Sequence, residues 1–173
     1  MSPPLQSGKP EVWLRGPVED ITPVLQPVAH ALLQASEEIH SLMMHFPEEK
    51  LWTMPSGAAS VGFHLQHITG VLDRLFTYAE GKRLSQHQLH YLSREGIPDD
   101  NIPVFSLLES FDAQVLSFID ALKNIDPDSL TNYRAIGRKG LPSTILGLLF
   151  HSAEHTMRHT GQLLVTVKVL TNS

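Results

Sequence analysis

Four segments of this chain bring an apolar residue back every three or four positions, the period of an α-helix with one buried face. In residues 22–46 the stripe is Val24, Val28, Ala31, Ala35, Ile39, Leu42 and Phe46. In 60–80 it is Val61, Leu65, Ile68, Leu72 and Leu75, with Ser60 suited to the N-cap and Gly81 to the residue past the helix end. In 103–123 it is Val104, Leu108, Phe111, Val115, Phe118 and Leu122. In 143–170 it runs through Ile145, Leu148, Leu149, Ser152, Thr156, His159, Leu163 and Val167. Pro23 suits a first helical turn, while Pro27 marks either the true start of the first helix or a kink in it.

The connections are long. Residues 81–102 have room for a short helix around Leu84 to Arg94, and 124–142 carry the turn-rich chemistry of a crossover. No set of strands large enough for a sheet is visible. The expected fold is therefore all-α: a four-helix bundle with long crossover connections. The expected organisation is an N-terminal extension over 1–16 and a single domain over 17–173.

Composition narrows the function. A chain of 173 residues, 42% hydrophobic and 18% charged, can bury a real core. The net charge of −5 and the lack of any dense basic run argue against a nucleic-acid partner. There is no cysteine, which excludes disulfides, thiolate metal sites and cysteine nucleophiles. No apolar run is long enough for a membrane span, and "MSPPLQSGKPEVWLRG" contains no signal-peptide core, so no membrane association and a cytoplasmic location are expected. The oddity is ten histidines against thirteen Lys plus Arg.

The histidines concentrate. "LLFHSAEHTMRHTGQLLV", residues 148–165, places His151, His155 and His159 four apart, and positions four apart stand one above the other on a helix. Against the apolar stripe, His159 lies within it, His155 at its edge and His151 further round. The second helix adds His64 and His67, either of which can complete a three-histidine site; the helical wheel favours His64. Three neutral imidazoles suit Zn, Ni, Cu or Fe(II) and leave coordination positions open, as catalytic sites do. The competing reading is a set of hydrogen-bonded core histidines. His30, His40, His45, His87 and His90 read as surface or boundary residues. Glu154 is turned away from His155, and Gln162 serves either as a ligand-orienting group or as a plain boundary residue.

At these residues the chain resembles the DinB-like (DinB/YfiT-type) helix-bundle superfamily of metalloenzymes. Ser60, Val61, Gly62, His67 and Ile68 match one of its motifs; His155, His159, Gly161 and Gln162 match the other. Phe63 departs from the acidic residue often found there, which weakens a capping box. The resemblance implies one divalent metal ion (Zn, Ni or Fe) on His67, His155 and His159, in preference to His64. It also implies a thiol-dependent transferase or hydrolase, with a low-molecular-weight thiol and a small-molecule substrate as partners. The alternative is a non-catalytic metal-binding or stress-response bundle, a homodimer through an exposed helix face. Ordinary imidazole titration would make metal affinity fall from about pH 7 to about pH 5.

Overall fold

The computed structural model describes residues 9–172, so residues 1–8 of the expected N-terminal extension and Ser173 of the expected domain lie outside the described residues. Four long helices carry the core: α1 (Gln26–Met43), α2 (Val61–Ala79), α4 (Val104–Lys123) and α5 (Ile145–Thr171). A short α3 (Gln86–Arg94) stands between α2 and α4. The all-α class read from the four stripes is the class observed.

Local chemistry sets each helix end. A 3₁₀ turn at Pro23–Leu25 leads into α1, and Pro27 sits in the first turn, so it marks the start of the α-helix rather than a kink. Ser60 Oγ accepts from Phe63 N at 3.1 Å to cap α2. At its other end Gly81 takes φ +75°, while Gly81 N bonds Tyr78 O and Lys82 N bonds Thr77 O, a Schellman closure. Ser85 and Gln88 form a reciprocal capping box on α3. Pro103 supplies no side-chain cap to α4; the Glu48 carboxylate accepts from Val104 N at 3.0 Å instead.

α1 packs on α4 and α5, and α2 packs on the same two helices. The main contacts therefore place α1 opposite α2 and α4 opposite α5, which is why the connections from α1 to α2 and from α4 to α5 must be long. Side chains such as Leu32, Ile39, Leu65, Leu72, Phe111, Phe118 and Leu149 are wholly buried between them. The buried polar stripe of α5 is satisfied internally: the Ser152, Thr156 and Thr160 hydroxyls each donate to the carbonyl four residues back, at 2.8–2.9 Å. Val12, within the stretch expected to be an extension, is buried, and its N–H donates to Gln34 Oε1 on α1 at 2.9 Å.

One element departs from expectation. The 124–142 crossover contains a β-hairpin, β1 (Tyr133–Ile136) against antiparallel β2 (Leu141–Thr144), turned through Gly137 and Gly140 at positive φ. Its strands have four residues each, and Pro142 obscures the strand pattern, as a proline tolerated only where no ladder N–H is needed does. β2 runs directly into α5, whose N-cap is Thr144, so the helix begins two residues later than expected. No helix among the described residues is long and apolar enough to cross a membrane.

Phe111 is fully buried and Phe105 is 64% exposed on the same helix. Phe111→Ala is expected to cost about 3–5 kcal/mol in urea unfolding, and Phe105→Ala less than about 0.5 kcal/mol.

Candidate metal centre

Two adjacent helices bring the histidines together. The Ser60 cap fixes the register of α2, which places His64 and His67 in its first two turns against α5. On α5 the His151, His155 and His159 rings form a ladder, with centroids 5.2 Å and then 4.6 Å apart. His67, His155 and His159 each present a nitrogen, all within 4.8 Å of one another. His67 Nε2 faces His155 Nε2 at 3.0 Å. His64 goes elsewhere: it is buried, and its Nδ1 meets His159 Nδ1 at 3.0 Å. His151 is exposed and pairs with Glu154, whose carboxylate Arg158 also holds below the usual range. Gln162 and the α3 residues His87 and His90 are exposed and make no part of the three-histidine group.

A carboxylate organises the cluster. Glu95, one residue past α3, accepts from His67 Nδ1 at 2.7 Å and from Arg74 Nη1 at 2.6 Å, with its side chain only 4% exposed. The proton on Nδ1 fixes the tautomer and leaves the Nε2 lone pair of His67 pointing at the other imidazoles. Gly70 makes room for the contact: a Cβ there would sit 2.4 Å from both Arg74 Nη1 and Glu95 Oε1. The following residue is pinned as well, with Gly96 N donating to Gln66 Oε1 at 2.8 Å. Phe63 stacks on the His67 ring, with centroids 5.0 Å apart and planes inclined by 13°. The residue that weakens a capping box therefore walls the cluster.

The sequence reading missed Glu95, Arg74 and the role of Phe63. Arg74 carried a usable signal: it follows His67 by seven residues, on the same helical face, amid Val71, Leu72 and Leu75. A cation there requires a buried anion. Nothing local to Glu95 identified it as that anion.

The donor set fits a divalent ion. Two nitrogens bound to one tetrahedral zinc stand about 3.3 Å apart, given bonds of about 2.0–2.1 Å, close to the His67–His155 separation. Two of the three imidazoles, His155 and His159, are also held neutral, as ligands must be. Burial first, then the neighbouring histidines, pushes His64 and His155 down to about 4; burial, His67 and Arg158 push His159 down to about 4. His155 Nδ1 is buried without a hydrogen-bond partner.

A family model described as the DinB superfamily matches residues 10–163. The chain belongs to the DinB superfamily. Among solved structures, a conserved protein from Enterococcus faecalis is similar to it with a TM-score of 0.71 and 17% identity, over 88% of this chain and 99% of that one. A DinB-like protein from Bacillus cereus ATCC 10987 is similar with a TM-score of 0.61 and 16% identity, over 82% and 91%. At such identities the likeness carries the fold alone. No curated protein matches the chain. The DinB resemblance drawn from residues 60–68 and 151–164 is thus borne out, and both motifs fall within the matched range.

Because the folded chain holds these imidazoles at about 4 while an unfolded one titrates near the ordinary 6.5, the unfolded chain binds protons first. Stability is intact above about pH 6.5 and is lost as pH falls through about 4. Chelator-treated protein is expected to show a melting temperature that drops across this window, and less steeply in His159→Gln. A flat profile in the wild type would overturn the assignment of neutral, buried imidazoles.

Proposed function

We propose that this DinB superfamily protein is a metal-dependent enzyme, a thiol-dependent transferase or hydrolase, holding one divalent ion on His67, His155 and His159. The observation that supports the reading is the grouping of these three imidazoles together with the Glu95 contact that commits His67 Nε2 to act as a ligand. A divalent ion bound there would polarise a carbonyl or lower the pKa of a bound water or thiol. The protein's own part is positional. Glu95 and Arg74 orient His67, His64 orients His159 through its Nδ1, and Phe63 covers one face of His67. Zinc, nickel or iron suits the donors. The proposal includes a small-molecule substrate, a low-molecular-weight thiol, a cytoplasmic location and a homodimer; Phe150 and Val165, each 61% exposed on α5, offer an apolar surface for the last.

A second reading, a non-catalytic metal-binding protein, draws support from Glu95. That carboxylate is occupied by Arg74 and His67 and so is not free to act as a general base. Turnover with a thiol cosubstrate separates the two.

The decisive experiment is metal analysis of protein purified without an affinity tag. About one ion per chain is expected, and none in a His155→Ala/His159→Ala double variant; metal retained there overturns the site. His67→Ala should lose metal, whereas metal lost only in His64→Ala would move the ligand one turn toward the N-terminus of α2. Glu95→Gln and Gly70→Ala should each weaken metal affinity by about 10- to 100-fold, the usual cost of losing a group that orients a ligand. For His155 and His159, competition from protons should set in below about pH 5 rather than between 7 and 5, because their folded pKa lies near 4.

A further inference from the structure

Beside the histidine cluster lies a cavity of about 230 Å³. His67 and His155 form part of its wall, and Val71, Leu75 and Tyr78 continue it along α2. Positions 67, 71, 75 and 78 follow one another up a single helical face, so the cavity prolongs the direction of His67 over about 16 Å. Leu84, ahead of α3, and Leu92, within it, form the opposite wall. Leu92 is 43% exposed, an apolar side chain left open toward solvent at this cavity. The wall between the imidazoles and Tyr78 is mainly hydrocarbon, and its polar atoms sit at the rim, on Arg74, His151 and the Tyr78 hydroxyl. The Arg74 guanidinium is bound to Glu95, and the imidazole of His151 is paired with Glu154.

We infer that this cavity takes the apolar body of the substrate: an alkyl or aryl group carrying one metal-seeking head, with the head at His67 and His155 and the body running toward Tyr78. The inference rests on the metal reading for its head group and on the cavity alone for its body. Size agrees. A dry cavity of roughly 150 Å³ accommodates benzene, so this one has room for an aromatic ring with a short chain. The chemistry agrees as well. A hydroxylated body would lose water against Val71, Leu75, Leu84 and Leu92 and gain no hydrogen bonds from them, whereas a hydrocarbon body gains from the same burial.

Cobalt(II)-loaded protein reports thiolate binding through its near-ultraviolet charge-transfer band. Phenylmethanethiol should bind at least about tenfold more tightly than 2-mercaptoethanol. Leu92→Asp, at an exposed position, should abolish that preference while leaving cobalt stoichiometry and 2-mercaptoethanol affinity unchanged. Equal affinity of the two thiols for the wild type overturns the inference and leaves the metal reading standing. A second arm needs no metal: titrating metal-free protein with ethylbenzene should move the methyl resonances of Val71, Leu75, Leu84 and Leu92 in a saturable way. If cobalt does not bind, the metal reading is what fails, and the methyl resonances decide the cavity by themselves. Methyl groups that stay unmoved overturn it.

Discussion

The Glu95 carboxylate, held between Arg74 and His67, is the interaction on which the rest of the site depends. A carboxylate as buried as this one is tolerable only when paired, and removing Arg74 would leave its charge stranded in a poorly solvated place. Each partner brings a different consequence. Arg74 supplies the countercharge, 2.6 Å from Glu95 Oε1. His67 supplies a proton on Nδ1, and the carboxylate thereby selects its tautomer. The same carboxylate fastens the end of α3 to α2, with Gly96 bonded to Gln66 and the Tyr91 hydroxyl donating to Gln66 O at 3.2 Å. Positioning of the short helix and preparation of the imidazole are therefore one event.

The cluster has a cost that the fold absorbs. Imidazoles this close cannot share the site as cations: beyond the effect of burial, His159 and His67 lower the pKa of His64 and His155, and His67 lowers that of His159. A neutral imidazole then has one donor and one acceptor to satisfy, and the facing Nδ1 atoms of His64 and His159 satisfy one nitrogen on each ring. His155 Nδ1 has no such relief. Buried polar groups without partners are rare enough in stable proteins to point to a functional constraint on the side chain that bears them. The other polar residues on α5 behave differently. Ser152, Thr156 and Thr160 return their protons to the helix backbone, so they take part in the core without demanding anything of a neighbouring helix.

What could be read from the sequence was whatever repeats or caps locally. The four stripes, the Ser60 cap, the Gly81 stop and the short helix near Leu84 to Arg94 all depend on residues within a few positions of one another, and all are present. The hairpin at Tyr133–Thr144 was not legible, since four-residue strands leave too few alternations to register. At the site, the wheel ranked His64 above His67, whereas the structure groups His67 with His155 and His159. The residue nearest the centre of the apolar stripe goes deepest, and His64 is accordingly only 3% exposed, behind His159 rather than beside His155. A cluster that borders a cavity sits at the edge of the stripe, where His67 and His155 are. Glu95 was hidden for the opposite reason. It lies in a connection 28 residues from His67, and only the docking of α3 brings it back.

The topology separates what stabilises the protein from what the site does. α2 and α5 meet along one seam, and every histidine of the cluster lies on it. α1 and α4 meet along another, whose polar contacts are peripheral: Asp112 accepts from Ser36 Oγ and pairs with His40 at the surface. Their inner faces are closed by side chains such as Leu32, Ile39, Phe111 and Phe118. Close packing makes that half intolerant of changes in volume but indifferent to the identity of the chemistry opposite. The α2–α5 seam has the reverse character. It carries buried nitrogens, the Arg74–Glu95 ion pair adjoins it between α2 and the end of α3, and a cavity opens beside them under α3, which packs chiefly on α2. An open cavity next to buried polar groups lowers local stability, and the scaffold can sustain it because α1 and α4 supply cohesion without sharing the polar load. Substitutions along α1 and α4 should then act through global stability, and those along α2, α3 and α5 near the histidines through the site, with Glu95 at the point where the two kinds of effect meet.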